Sequence, residues 1–469
     1  MIYQLKKEIT KILSSDKNNL SITFVGSSKY KDIKEISDID IVVICKNLTK
    51  KYYQTQINNL KNIDEKIYKK EFEKLYINNS FGPLKYNSKG ILVLHLMIYD
   101  IKSHKQHVIE SPFTCLDWSL YKSSYGPNLK ELYPVLNLQI HDFKLARRSF
   151  SDYSYEFENK KLSYREYKFT DNKKYIQIKK YKDIDNLEFI EFMNHIIKFS
   201  LFNLCKLISN ENKIFSEKEV FEILPNFLKF KALINKLDRS KTNLLSLDVK
   251  SIEKEFRIFL DIYNTYLNNL EKKYLNSKVY FIRHSKTVLN DDSFLGIGRD
   301  PDIKRPLSKS KETLLREIRV DKYFTSPLKR SINTARQVTH TYEVLQELVE
   351  INYGKAEGLN VNDLSTSYPN IIKSWSKGRD VKFPSGENME DVKKRIISFL
   401  NIVPPEETVM AFTHQVVIRV AICLAVGASL QEAYKINIEH EKPYEFFLYD
   451  GVLKINMQRQ DIYKLYNHD

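Results

Sequence analysis

Two sets of residues have types and spacings that could do chemistry. The first starts where the apolar run Val279-Tyr280-Phe281-Ile282 ends in Arg283-His284-Ser285-Lys286-Thr287. Four apolar residues bounded this way read as a buried strand that delivers its polar tip into a pocket. Guanidinium matches phosphate oxygens two at a time and neutral imidazole is a nucleophile near pH 7, so the pair is suited to gripping phosphate and attacking it. Downstream, Ser326-Pro327-Leu328-Lys329-Arg330 follows a strand at Tyr323-Phe324, Glu350 precedes Asn352-Tyr353-Gly354, and Val409-Met410-Ala411-Phe412 runs into Thr413-His414. Three strands thus deliver Arg283-His284, Arg330 and His414 from their C-terminal ends, where open α/β sheets gather ligand sites.

The second set lies near the N-terminus. Leu20 to Val25 reads as a strand, Gly26-Ser27-Ser28 as a tight turn, and Ser37-Asp38-Ile39-Asp40-Ile41-Val42-Val43-Ile44 as the next strand. Asp38 and Asp40 are two apart, so their side chains share one face of that strand. Adjacent carboxylates repel unless a cation lies between them. A divalent metal beside a glycine turn whose amides can hold phosphate oxygens is what phosphoryl or nucleotidyl transfer needs.

The elements that must position these groups are legible in outline. Leu5, Ile9, Ile12 and Leu13 keep helical spacing, and Ile91 to Asp100 reads as a strand. A hairpin centred on Asp171-Asn172 is expected over about 160–182. Beyond it, helical stripes run through Phe189, Phe192, Met193, Ile196 and Ile197, and through Ile252, Phe256, Phe259 and Tyr263, with a capping box at Ser216 to Glu219 between them. These aromatic stripes read as bundle core, not as a cofactor site.

The N-terminal strand, Gly-Ser turn and Asp-apolar-Asp strand resemble the polymerase-beta-like nucleotidyltransferase superfamily. The resemblance implies that Gly26 and Ser27 bind the triphosphate of an NTP and that Asp38 and Asp40 hold Mg2+. That family takes a third carboxylate from a later strand, where this chain has His95, with Asp100 at the strand end. Either His95 substitutes, or Asp100 reaches in, or the site is altered. The segments around Arg283, Arg330, Glu350 and His414 resemble the histidine phosphatase superfamily, its phosphoglycerate-mutase-like branch. By that resemblance His284 is the nucleophile that becomes phosphohistidine, Arg283, Arg330 and His414 neutralise phosphate oxygens, and Glu350 is the acid and then the base, with Glu357 as its rival. No cofactor is implied there. Ser285 stands where that family mostly has glycine.

Length and composition set the frame. With 469 residues, 42% hydrophobic and 29% charged, the chain is expected to form several domains. We expect a multidomain α+β and α/β protein: a mixed-sheet nucleotidyltransferase core over 1–139, a helical accessory region with a hairpin at its start over 140–275, and a three-layer α/β phosphatase domain over 276–469. The net charge is +16, of which the first 276 residues carry +13. It is spread as single lysines, so nucleic acid is the less favoured partner and a nucleoside triphosphate and a small phosphorylated substrate the favoured ones. The four scattered cysteines and the absence of an apolar run of membrane-spanning length suggest a cytoplasmic protein without a membrane partner. The expected function is that of a bifunctional enzyme, nucleotidyl transfer to a small molecule such as a sugar phosphate together with phosphomonoester hydrolysis. The alternatives are a nucleotidyltransferase acting on a protein or tRNA, and a silent nucleotide-binding module attached to a working phosphatase.

Overall fold

The computed structural model describes residues 2–26, 38–82, 90–239, 248–289, 293–375, 377 and 379–466. Ser27, assigned above to the triphosphate, lies outside them. By packing the chain divides into two compact units. One comprises Met1–Val135, Lys144–Lys206 and Asn212–Thr265, the other Leu136–Phe143, Leu207–Glu211 and Tyr266–Asp469.

The first unit is built on a five-stranded mixed sheet. Its strands are β1 (Asn19–Val25), β2 (Asp38–Cys45), β3 (Lys74–Asn78), β4 (Ile91–Asp100) and β5 (Ser123–Tyr125), in the order β3-β4-β2-β1-β5. Strands β2, β3 and β4 are parallel, while β1 runs antiparallel to β2 and β5. Alternation sends Ile39, Ile41, Val43 and Cys45 of β2, with Leu92, Leu94, Leu96 and Ile98 of β4, into one core. The helix Ile2–Ser14 covers that core with Leu5, Ile9 and Leu13. Asp38 and Asp40 therefore point to the other face. The hairpin β6 (Lys161–Phe169) and β7 (Tyr175–Asp183) follows the helix Asp142–Asn159. Tyr167, Phe169 and Tyr175 of the hairpin pack against the core.

The helical middle region comprises Asn186–Ser209, Glu217–Ile223, Lys231–Arg239 and Val249–Asn276. Its two aromatic stripes meet, with Phe192 6.4 Å from Phe256, and Phe157 of the helix Asp142–Asn159 lies 5.3 Å from Phe189 and 4.8 Å from Phe256, centre to centre. Ser216 and Glu219 form the capping box.

The second unit holds a six-stranded sheet in the order β10-β9-β11-β8-β12-β13. The strands are β8 (Lys278–Arg283), β9 (Lys322–Thr325), β10 (Glu343–Val344), β11 (Thr408–Thr413), β12 (Pro443–Tyr449) and β13 (Val452–Ile455). The four strands β8 to β11 are parallel, and β12 and β13 complete a mixed sheet as antiparallel neighbours. Ile282, Met410 and Phe412 pack on one face against Leu315 and Ala335, from the helices Lys309–Glu317 and Lys329–Ala335. On the other face Phe281 and Phe324 each lie 5.7 Å from Phe399 of the helix Met389–Ile402. Parallel strands covered on both faces need apolar residues at every position, which explains the unbroken runs in β8 and β11.

Candidate active sites

The register of β8 and β11 builds the centre of the second unit. Thr413 pairs with Arg283, so the next residue of each strand, His414 and His284, emerges beside the other. Their rings lie 5.1 Å apart, and His284 N–H donates to Thr413 O at 3.0 Å. His284 Nδ1 lies 2.7 Å from Ser285 O. A carbonyl only accepts, so Nδ1 carries the proton and the lone pair sits on Nε2. Burial, then the nearby Arg330 cation, push the His284 pKa well below its usual value, which keeps the ring neutral. His414 is depressed for the same two reasons, and its Nε2 meets the hydroxyls of Ser326 at 2.8 Å and Ser331 at 3.3 Å.

Two guanidiniums join this pair. Arg283 donates from Nη1 to Ile438 O at 2.7 Å, and burial lowers its pKa to about 10. Arg330 is 1% exposed and donates to Gly296 O at 2.7 Å and Arg299 O at 3.0 Å. Their Nε atoms and His414 Nδ1 are buried with no hydrogen-bond partner among the described residues. Buried polar nitrogens are seldom left so, and an anion's oxygens would satisfy the two guanidinium N–H groups.

Glu350 lies 8% exposed at the same end of the sheet. Its Oε1 accepts from Ile351 N at 3.0 Å and Val416 N at 3.3 Å, so it contacts the first turn of the helix Gln415–Val426 that His414 caps. Burial raises its pKa, against the pull of Arg330, Arg283 and Arg419. The segment that carries it is pinned by Arg395, which donates to Glu347 O and Val349 O at 2.9 Å each and pairs with both oxygens of Glu387 at 3.0 Å. Gly354 closes the turn at φ +53, and a Cβ there would strike the backbone of Pro384.

Glu357, the competing acid, is engaged with a loop. Its two oxygens accept from Ile297 N at 2.9 Å and Gly298 N at 2.7 Å, shaping the loop whose Gly296 carbonyl holds Arg330. Ser285 is absent from the described residues with positive φ, so the main chain there does not require glycine. Arg419 and His440 also join the cluster. Arg419 was legible as the one charge in an otherwise apolar helix. His440 comes from the segment before β12 and carried no local signal.

In the first unit, Asp40 packs so closely over Gly26, at φ +77, that a Cβ on Gly26 would collide with its carboxylate. Tyr121 donates to Gly26 O at 3.1 Å. In the parallel register Asp40 pairs with His95, which pairs with Asn78. Asp100 pairs with Cys45, five residues or roughly 16 Å further along β2. There it caps the helix Ile101–Glu110 and accepts from Tyr175 at 2.8 Å, so it does not join Asp38 and Asp40. Asn78 Oδ1 is taken by Ser80 N at 3.0 Å and Ser80 Oγ at 2.7 Å, which turns its Nδ2 toward His95 Nδ1 at 2.9 Å. His95 Nδ1 therefore accepts and Nε2 bears the proton, leaving the ring no lone pair for a metal. Among the described residues no group of three or more His, Cys, Asp or Glu side chains could hold a metal ion. Two carboxylates still suit magnesium, which is commonly held by one or two of them while triphosphate oxygens and water complete its shell.

Comparison with known proteins agrees with both halves. Residues 279–455 match the histidine phosphatase superfamily (branch 1), and residues 6–92 match the nucleotidyltransferase domain. The chain thus carries an N-terminal nucleotidyltransferase domain and a C-terminal histidine phosphatase domain of branch 1. Phosphoserine phosphatase 1 of Hydrogenobacter thermophilus is 27% identical over 179 residues, covering 35% of this chain and 82% of that protein. Human 6-phosphofructo-2-kinase/fructose-2,6-bisphosphatase 4 is 29% identical over 148 residues, covering 30% of this chain and 31% of that protein. The match thus spans about a third of that kinase/bisphosphatase. Among solved structures, the alpha-ribazole phosphatase from Shigella flexneri is 18% identical, with a TM-score of 0.32 over 39% of this chain and 95% of that one. Mycobacterial glucosyl-3-phosphoglycerate phosphatase is 16% identical, with a TM-score of 0.33 over 38% and 97%. Among the described residues no helix is long and apolar enough to cross a membrane, and the four cysteines are buried and form no disulfide.

Proposed function

We propose that the C-terminal unit hydrolyses small phosphomonoesters through phosphohistidine at His284, and that the N-terminal unit transfers a nucleotide from an NTP to a small phosphorylated acceptor. The observation that carries the first half is the tautomer of His284, with Nδ1–H spent on Ser285 O and Nε2 available to attack. In the first step Nε2 bonds to phosphorus as the ester bond breaks, and Glu350 in its acid form protonates the departing oxygen. Arg283, Arg330 and His414 donate to the equatorial oxygens, where each positioned donor is worth about 3–4 kcal/mol of barrier in comparable sites. In the second step the Glu350 carboxylate takes a proton from water as its oxygen attacks phosphohistidine, releasing phosphate and neutral His284. The names of the two relatives, a phosphoserine phosphatase and a kinase/bisphosphatase, refer to small phosphorylated metabolites and support that substrate class.

In the N-terminal unit, Asp38 and Asp40 would hold Mg2+, which neutralises triphosphate charge and polarises the phosphoryl group under attack. Gly26, lacking a Cβ, leaves the Asp40 carboxylate room to lie against the turn. The whole protein, given a panel of sugar phosphates with NTPs, should release pyrophosphate with at least one acceptor and phosphate from at least one monoester. Absence of pyrophosphate throughout, with hydrolysis intact, would reduce the function to the phosphatase half. A second reading, in which the first unit binds nucleotide without turning it over, is favoured by the proton on His95 Nε2 where a third carboxylate is expected.

A further inference from the structure

Arg283 and His284 are gripped from the side by residues 438–441. Ile438 O accepts from the Arg283 side chain at 2.7 Å, and Glu441 N donates to Arg283 O at 2.9 Å. His440 Nδ1 meets His284 O at 2.6 Å and, facing a carbonyl, is the donor. The two rings stand 5.5 Å apart at 68°. Lys311 anchors the same segment, donating to His440 O at 3.2 Å and Glu441 Oε2 at 2.7 Å.

The consequence lies in the peptide that joins His284 to Ser285. Its carbonyl is held by His440 and its N–H by Thr334 Oγ1 at 2.9 Å, so the plane is pinned at both ends. The next carbonyl, Ser285 O, fixes the imidazole of His284. A tilt of the pinned plane therefore moves the atom that aims Nε2. We propose that His440 is a positioning residue for the phosphatase reaction, holding the 284–285 peptide so that Nε2 of His284 faces the phosphorus. Burial, then the adjacent Arg283 cation, lower the His440 pKa to about 4, so it stays a neutral donor at neutral pH.

This role rests on the phosphohistidine reading, and the test separates the two. Acid-labile, base-stable phosphoenzyme would be followed by rapid quench with an aryl phosphate, for wild type, His284→Ala, His440→Leu and His440→Asn. Leucine removes the donor, whereas asparagine keeps a side-chain N–H. The rate of phosphoenzyme formation should fall about ten- to a hundredfold in His440→Leu, with KM within about twofold and most of the rate restored in His440→Asn. If His440→Leu does not fold, His440→Phe, a ring of similar bulk without the donor, carries the same expectation. A donor-free variant as fast as wild type, or one impaired only in KM, overturns the role of His440 alone. Wild type that forms no phosphohistidine overturns the underlying reading with it.

Discussion

Replacing Glu350 by glutamine removes a titratable proton while leaving the shape of the position almost unchanged. Oε1 of the carboxylate accepts from Ile351 N and Val416 N, and the amide oxygen of glutamine can accept both. The stability cost should therefore stay within about 1 kcal/mol. The catalytic cost should be far larger, since a positioned general acid contributes about 100- to 10,000-fold, or roughly 3–5 kcal/mol of barrier. An alkyl phosphate, whose leaving alkoxide must be protonated, should show this whole loss in phosphoenzyme formation. A nitrophenyl phosphate, whose phenoxide departs unaided, should lose less than about tenfold in the same step. The pH profile supplies the second readout. Burial raises the Glu350 pKa, the acid form works in the first step, and so kcat/KM of wild type on the alkyl ester should fall as pH rises through a pKa above the ordinary carboxylate range. That limb should vanish in Glu350→Gln. Equal losses on both esters, or an unchanged alkaline limb, would refute the assignment of Glu350 as the acid.

Other perturbations test the remaining sites. Asp40→Ala should weaken binding of magnesium triphosphate by at least about tenfold in calorimetry, a loss that even outer-shell partners of a metal can cause, while monoester hydrolysis is unchanged. His95→Asp places a third carboxylate beside Asp40, so like-charge repulsion should lower Tm without metal, and added Mg2+ should raise it more than in wild type. A Tm indifferent to Mg2+ in that variant would count against a metal at Asp38 and Asp40. Buried Lys454 donates to Leu138 O at 2.8 Å, and desolvation lowers its pKa to about 7. The unfolded chain binds this proton up to about pH 10, so stability should rise with pH between those values. Denaturation at pH 7 and 9.5 should show that increment in wild type, and a smaller one in Lys454→Met.

Much of this protein is written locally. Period-2 alternation separated Asp38 and Asp40 from the core residues Ile39 and Ile41, because the pleat sends neighbours to opposite faces whatever lies beyond. The unbroken apolar runs in β8 and β11 announced strands covered on both sides. Helical spacing likewise located Leu5, Ile9 and Leu13, and the stripes of the middle region. Such patterns depend on residues a few positions apart, so one chain suffices to read them.

What local pattern could not decide was which distant atoms meet. The pairing of Thr413 with Arg283, across 130 residues, is what sets His284 beside His414. The register of β4 against β2 puts His95 beside Asp40, while the end of the strand turned Asp100 into a helix cap. The proton on His95 Nε2 depends on Ser80 occupying the oxygen of Asn78. That Glu357 holds a loop some sixty residues earlier was likewise beyond local reading. Residue types and their spacing determined by themselves which groups could act on phosphate. Tertiary structure decided which nitrogen of His95, His284 and His440 holds the proton and which carboxyl is buried, because hydrogen bonds and desolvation are set by neighbours far away in the chain.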